Sequence, residues 1–176
     1  MIFKELILQG AYLIETNPFR DERGAFSRTF CRREFENLGL NGNMVQSNMS
    51  DSLQRHTLRG MHYQINEYAE DKLISCMRGA ILDVIIDIRS DSPSYLKYHM
   101  QNLSENDGLL LYVPRGFAHG FLTLSDHCRV FYQVSNFYNK DNERGIRWND
   151  PAFTIPWPVS NPTVSSKDRS HPYFRK

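Results

Sequence analysis

Cysteine is scarce in this chain, and the three that occur are far apart. Cys31, Cys76 and Cys128 are odd in number and form no CxxC pair, so they read as free thiols in a reducing cytoplasm rather than as a disulfide framework. Net charge is almost absent. Lys plus Arg number 21 against 20 Asp plus Glu, a balance of +1, which offers no polyanion-binding surface and excludes nucleic acid as an expected partner. No apolar run approaches the length of a membrane span, so no membrane partner is expected either. The opening stretch, Met1 to Leu8, is broken by Lys4 and Glu5 too early for a secretory signal. With no linker and no internal repeat, residues 1–176 read as one domain.

What is present suits a compact core: 176 residues, 40% hydrophobic and 12% aromatic. Residues 6–15 read as early strands broken at Gly10. Residues 32–39 read as a short helix with Gly39 near its C-terminal end. Residues 71–79, 95–103 and 130–135 read as further strands, and 80–88, rich in β-branched residues, as a buried one. From 136 onward Trp148, Pro151, Pro156, Trp157, Pro158 and Pro162 indicate an extended, packed C-terminal segment with short helices. Many short strands with closely spaced turn signals predict an all-β sandwich or barrel.

The stretch Leu58 to Gln64 (LRGMHYQ) concentrates Arg, His, Tyr and Gln. Strict strand alternation puts Gly60, His62 and Gln64 on one face and Arg59, Met61 and Tyr63 on the other. An inward His is either a satisfied core group or a working one. On residue type alone, the core reading is favoured.

Gly108, Pro114, Gly116 and His119 match the second cupin motif, G-x5-P-x-G-x2-H. The first motif is degraded: His62 lacks its second His, and Lys72, separated from Gly79 by six residues, stands where a Glu ligand belongs. A protonated Lys repels a divalent cation. The resemblance is therefore to a cupin jelly roll without a metal, and no cofactor is expected.

The ordered segments RGMHYQ, KLISCMRGAILDVIIDIRSDSP, YVPRGFAHGF, WNDP and SSKD resemble the nucleotide-sugar 4-keto-6-deoxyhexose 3,5-epimerases, from Phe19 to about Asp168. The resemblance implies a metal-free cupin and a homodimer whose active sites are shared. It implies epimerisation at C3 and C5 of a nucleotide-linked 4-keto sugar, through an enolate, in deoxysugar biosynthesis. By resemblance His62 is the base, Asp168 its orienting carboxylate, Tyr132 the acid on the opposite ring face and Lys72 the cation at the C4 oxygen. Arg59 and Arg23 resemble diphosphate contacts, Arg23 coming from the partner subunit. Gln46, Asn48, Phe26 and Tyr138 match positions near the nucleoside, and His119 lies near the sugar. Lys167, beside Asp168, is a substrate-contact candidate that reads equally as a solvated charge. Asp83 is expected to support the pocket, or to satisfy His62 or a neighbour inside the barrel.

Two departures bear on specificity. The family's RGxFxE stretch becomes Arg23-Gly24-Ala25-Phe26-Ser27-Arg28. Arg28 can only donate, whereas the usual Glu can accept the N3–H of thymine. That leaves dTDP, CDP and GDP sugars, heptoses included, as candidates, with Arg28 turned outward as the alternative. The usual Lys-x-Thr after the acid Tyr becomes Gln133-Val134-Ser135, which bears on whether C3, C5 or both are turned over. A non-catalytic sugar-binding cupin is the reading from another class.

Overall fold

The computed structural model describes residues 1–175. Its strands are β1 (Ile2–Glu5), β2 (Tyr12–Glu15), β3 (Phe19–Asp21), β4 (Gly24–Phe26), β5 (Gln46–Ser52), β6 (Thr57–Gln64) and β7 (Lys72–Arg78). They continue as β8 (Ala80–Asp87), β9 (Tyr98–Ser104), β10 (Leu109–Val113), β11 (Phe117–Thr123), β12 (Cys128–Val134), β13 (Glu143–Gly145) and β14 (Thr163–Val164). Two short helices, α1 (Arg32–Glu36) and α2 (Ser166–Arg169), lie at the periphery.

Two sheets face each other. One runs β1-β2-β10-β7-β12-β5 and the other β13-β6-β11-β8-β9, with β14 added parallel to β6. The inner faces are built by period-2 alternation. Ile74 and Cys76 of β7, Ile81 and Ile85 of β8, Phe117 and Phe121 of β11 and Val130 of β12 share one buried cluster. The outer faces are also covered. Phe35 of α1 packs on Phe3 and Tyr112 at ring separations of 5.2 and 5.7 Å. The C-terminal segment lays Ile146, Phe153 and Val164, with Trp148 and Trp157, over the second sheet. Both tryptophans are packing residues, and Trp157 Nε1 donates to the Trp148 carbonyl at 2.9 Å. Because β8 is covered on both sides, seven of its eight residues are buried, as its unbroken apolar run requires.

Two local expectations change. The first strand is Ile2–Glu5 rather than the start of 6–15. The chain turns over between Leu6 and Ala11, where Gly10 adopts φ +81°. The alternation expected along β6 also fails. His119 of β11 lies opposite His62, but Phe121 lies opposite Arg59, so β6 spends three residues where β11 spends two. This bulge rotates Arg59 onto the side that His62 faces. Gly60 sits in it at φ +125°, where a Cβ would come 2.5 Å from Gly120 Cα, so no other side chain fits.

Candidate active site

Toward one end of the sandwich the apolar filling gives way to a cavity of about 470 Å3, lined by Arg59, His62, Lys72, His119, Tyr132 and Asp168 among others. A second cavity of about 210 Å3 adjoins it and is lined by Gln46, Asn48, Tyr138 and Glu143. His62, Lys72 and Tyr132 border both. Strand register explains the convergence. Tyr132 pairs with Asn48 and Ile74, and Val134 pairs with Gln46 and Lys72. Gln46, Asn48, Lys72 and Tyr132 therefore share the inward face of one sheet, opposite His62 and His119 of the other.

His62 is tied down from the far end of the chain. Ser165 caps α2, its hydroxyl accepting the Asp168 N–H at 3.0 Å. The Asp168 carboxylate then projects to β6, where Oδ1 lies 2.8 Å from His62 Nε2 and Oδ2 accepts the Gly60 N–H at 3.1 Å. Burial acts to raise the Asp168 pKa, but the His62 contact and the Gly60 N–H overcome it and hold the carboxyl below its usual range. An ionised carboxylate accepts only, so Nε2 carries a proton, and it is the neutral imidazole whose Nδ1 offers a lone pair.

His171, on the segment after α2, stacks edge-on against His62 with ring centroids 5.6 Å apart. Its Nε2 is 3.7 Å from Asp168 Oδ1. Burial, then the neighbouring His62, lower its pKa. Among the described residues, His62, Asp168 and His171 bring candidate metal-ligand atoms within 4.8 Å of one another. Asp168 already gives both oxygens to hydrogen bonds with His62 and Gly60, whereas His171 Nε2 is buried with no hydrogen-bond partner.

Tyr132 is held protonated. Burial raises its pKa most, the Glu70 and Glu143 charges add to this, and Arg59 opposes them. Lys72 Nζ lies 2.8 Å from Glu70 Oε1. His119 Nε2 lies 2.9 Å from Asp83 Oδ2, so Asp83 serves His119 rather than His62. Arg59 reaches Ser52 Oγ at 3.1 Å and the Asp51 carbonyl at 2.9 Å. Tyr138 stands at the rim of the smaller cavity, its hydroxyl donating to Glu143 Oε2 at 2.9 Å, and Lys167 Nζ meets the same oxygen at 2.5 Å. Lys167 is thus paired rather than simply solvated.

Three expected site residues lie elsewhere. Arg23 and Phe26 are on the β3–β4 hairpin, which joins neither main sheet, and Phe26 is 73% exposed. Arg23 pairs with Asp21. Arg28 pairs with Glu34 at 3.2 Å. None of the three lines either cavity of its own chain, and neither does Lys167, which reaches only Glu143 at the rim. Glu70, Glu143 and His171 were missed in the sequence. Glu70 carried a signal, because it stands two residues before Lys72, the spacing that shares a strand face. Glu143 opens β13, a strand of only three residues, and His171 lies in irregular chain, so no period marks either.

Among the described residues, no helix is long and apolar enough to cross a membrane, and all three cysteines are free.

Residues 5–176 match the family profile described as dTDP-4-dehydrorhamnose 3,5-epimerase. The enzyme of that name from Shigella flexneri is 45% identical over 157 residues, covering 89% of this chain and 86% of the relative. The crystal structure of the Bacillus anthracis enzyme with TDP and PPi bound superposes with a TM-score of 0.95 at 42% identity, covering 98% of this chain and 99% of that one. The Legionella pneumophila epimerase in complex with dTDP-4-keto-L-rhamnose gives a TM-score of 0.90 at 33% identity, covering 97% and 90%. The chain belongs to the dTDP-4-dehydrorhamnose 3,5-epimerase family and is a cupin-type isomerase of dTDP-linked 4-keto-6-deoxyhexoses.

Proposed function

We propose that His62 Nδ1 removes the proton next to the C4 ketone and that Tyr132 returns one from the opposite ring face. The C–H electron pair becomes a C=C bond, and the C4 oxygen becomes an enolate held by the Lys72 ammonium. On reprotonation the electrons return to carbon, the ketone reforms and the configuration is inverted. Solvent then resets the imidazolium and the phenolate, and the cycle runs at C3 and at C5. The observation that carries this reading is the His62 Nε2 to Asp168 Oδ1 contact of 2.8 Å in a cavity also lined by Tyr132 and Lys72. A sugar-binding module has no need of a buried carboxylate that fixes an imidazole tautomer.

The diphosphate lies against Arg59, with the nucleoside toward Gln46, Asn48 and Tyr138, His119 beside the sugar and Lys167 at the rim. The β3–β4 hairpin carries Arg23 and Phe26 into the active site of a second copy, making a homodimer with shared sites. Phe19, 68% exposed, and Phe26 are the apolar surface that such docking would cover. The base is thymine. Arg28 is engaged by Glu34, and the relatives bind TDP or dTDP sugars. The enzyme acts in the cytoplasm, where its free thiols persist.

Proton NMR in heavy water with dTDP-4-keto-6-deoxyglucose tests the reaction. Deuterium should enter at both C3 and C5. Incorporation at one carbon assigns a mono-epimerase and makes Gln133-Val134-Ser135 the determinant to examine. No incorporation by folded, dTDP-binding protein would overturn the reading.

A further inference from the structure

Glu70 is 8% exposed and lies in the loop that leads into β7. Its two oxygens point to different partners. Oε1 is 2.8 Å from Lys72 Nζ, and Oε2 accepts from the Gln64 side-chain amide. The orientation of Gln64 is fixed independently. Its Oε1 accepts the Asn139 N–H at 2.6 Å, and its Nε2 also donates to the Tyr68 and Phe137 carbonyls, each at 3.1 Å. The amide NH2 must therefore face Glu70. Both carboxylate oxygens thus meet donors, and the Glu70 side chain is held on both sides.

Lys72 gains a fixed geometry from this. A lysine ammonium is a point charge on a flexible four-carbon stem, with three donors and no preferred direction. Stabilisation of a developing oxyanion depends on donors placed before the reaction begins. Glu70 takes one Nζ donor and leaves the others for the cavity that Lys72 shares with His62 and Tyr132. The side chains of Glu70 and Lys72 are both largely buried, so water competes little for the contact. The arrangement gives up some positive field in exchange for placement.

We propose that Glu70 is a positioning residue of this reaction, anchored by Gln64, that holds Lys72 Nζ where the C4 oxygen acquires charge. The proposal rests on the enolate reading above. A purely structural Glu70 would only fasten its loop to β6 through Gln64, and its loss would be independent of Lys72.

A double-mutant cycle separates the two roles, using Glu70→Ala, Lys72→Met and the double variant, with kcat, KM and dTDP affinity measured for each. Glu70→Ala should lower kcat roughly 10²-fold, the scale of a misplaced catalytic group. Its dTDP affinity should stay within about two-fold of the parent, and in the Lys72→Met background it should cost no more than about two-fold. Glu70→Gln keeps an acceptor oxygen for Lys72 and should recover part of the loss. Multiplicative losses, or a parental kcat in Glu70→Ala, would overturn the proposal. Should Glu70→Ala fail to bind dTDP, Glu70→Gln carries the same cycle. Failure of the underlying reading would look different, as parental protein that exchanges no deuterium or His62→Ala that retains full turnover.

Discussion

Asp168 uses both carboxylate oxygens on β6, one 2.8 Å from His62 Nε2 and the other on the Gly60 N–H at 3.1 Å. It therefore fixes the imidazole tautomer and fastens α2 to the bulge that turns Arg59 inward. Asp168→Asn keeps the shape but offers an NH2 as readily as an oxygen to His62. The expected outcome is a loss of up to about 10⁴-fold in kcat, the scale seen when an orienting carboxylate is amidated. Binding of dTDP should persist, and isothermal titration checks it. An Asn variant with parental turnover would remove Asp168 from the base's mechanism.

Tyr132→Phe deletes the acid and leaves the base. Net epimerisation should fall about 10²- to 10⁴-fold. Exchange of the abstracted proton with deuterium should outlast it, because abstraction does not need the phenol. NMR follows both in one sample. Unchanged epimerisation would mean that another group delivers the proton.

Lys72→Met should behave differently. With no cation at the C4 oxygen the enolate itself is destabilised, so exchange and epimerisation should fall together, by roughly 10²- to 10³-fold. Exchange that survives in Lys72→Met would place the oxyanion elsewhere in the cavity.

Arg23 and His62 should complement across subunits. Arg23→Ala and His62→Ala each disable both sites of their own dimer. In a mixed dimer one site receives His62 from one chain and Arg23 from the other, both intact. Co-refolded equal mixtures should recover about a quarter of parental activity if sites are shared symmetrically. No recovery, with mixed dimers present, would place Arg23 in its own chain's site.

The alkaline limb of kcat should lie above pH 10, because the Tyr132 pKa is raised from 10.0 by burial and by the Glu70 and Glu143 charges, against Arg59. A raised folded pKa means that the native state favours the protonated phenol. That preference stabilises the fold below the unfolded pKa and is lost as pH rises through the folded one. Glu143→Gln should move the limb to lower pH, and a pH–rate profile reads it directly. An unmoved limb would mean that some other group governs it.

Much of this site was legible in residue order because strand alternation carries side chains to one face. Lys72, Ile74 and Cys76, with Tyr132 and Asn48, meet where period two places them. The gap lay in β6. Arg59 and His62 share a cavity only because of the bulge at Gly60, and that bulge depends on β11 passing within contact of it. No local pattern encodes such an approach. The partnership of Asp168 with His62 spans 106 positions and came through family likeness rather than spacing. Glu143, at the start of the three-residue β13, and His171, in irregular chain, are placed by tertiary packing rather than by any local period. The β3–β4 hairpin was expected to supply Arg23 to another subunit, and its exclusion from both cavities fits that expectation without testing it.

The order of synthesis gives the Asp168 contact a temporal meaning. Twelve of the fourteen strands are complete by Val134, so the facing sheets can close while the remainder is still being translated. Asp168 leaves the ribosome later than every other group assigned to proton transfer. A nascent barrel therefore holds His62, Lys72 and Tyr132 before it holds the carboxylate that sets the base. The base is therefore set only after its own strand is in place, and translation that stops short of α2 leaves His62 without its orienting carboxylate.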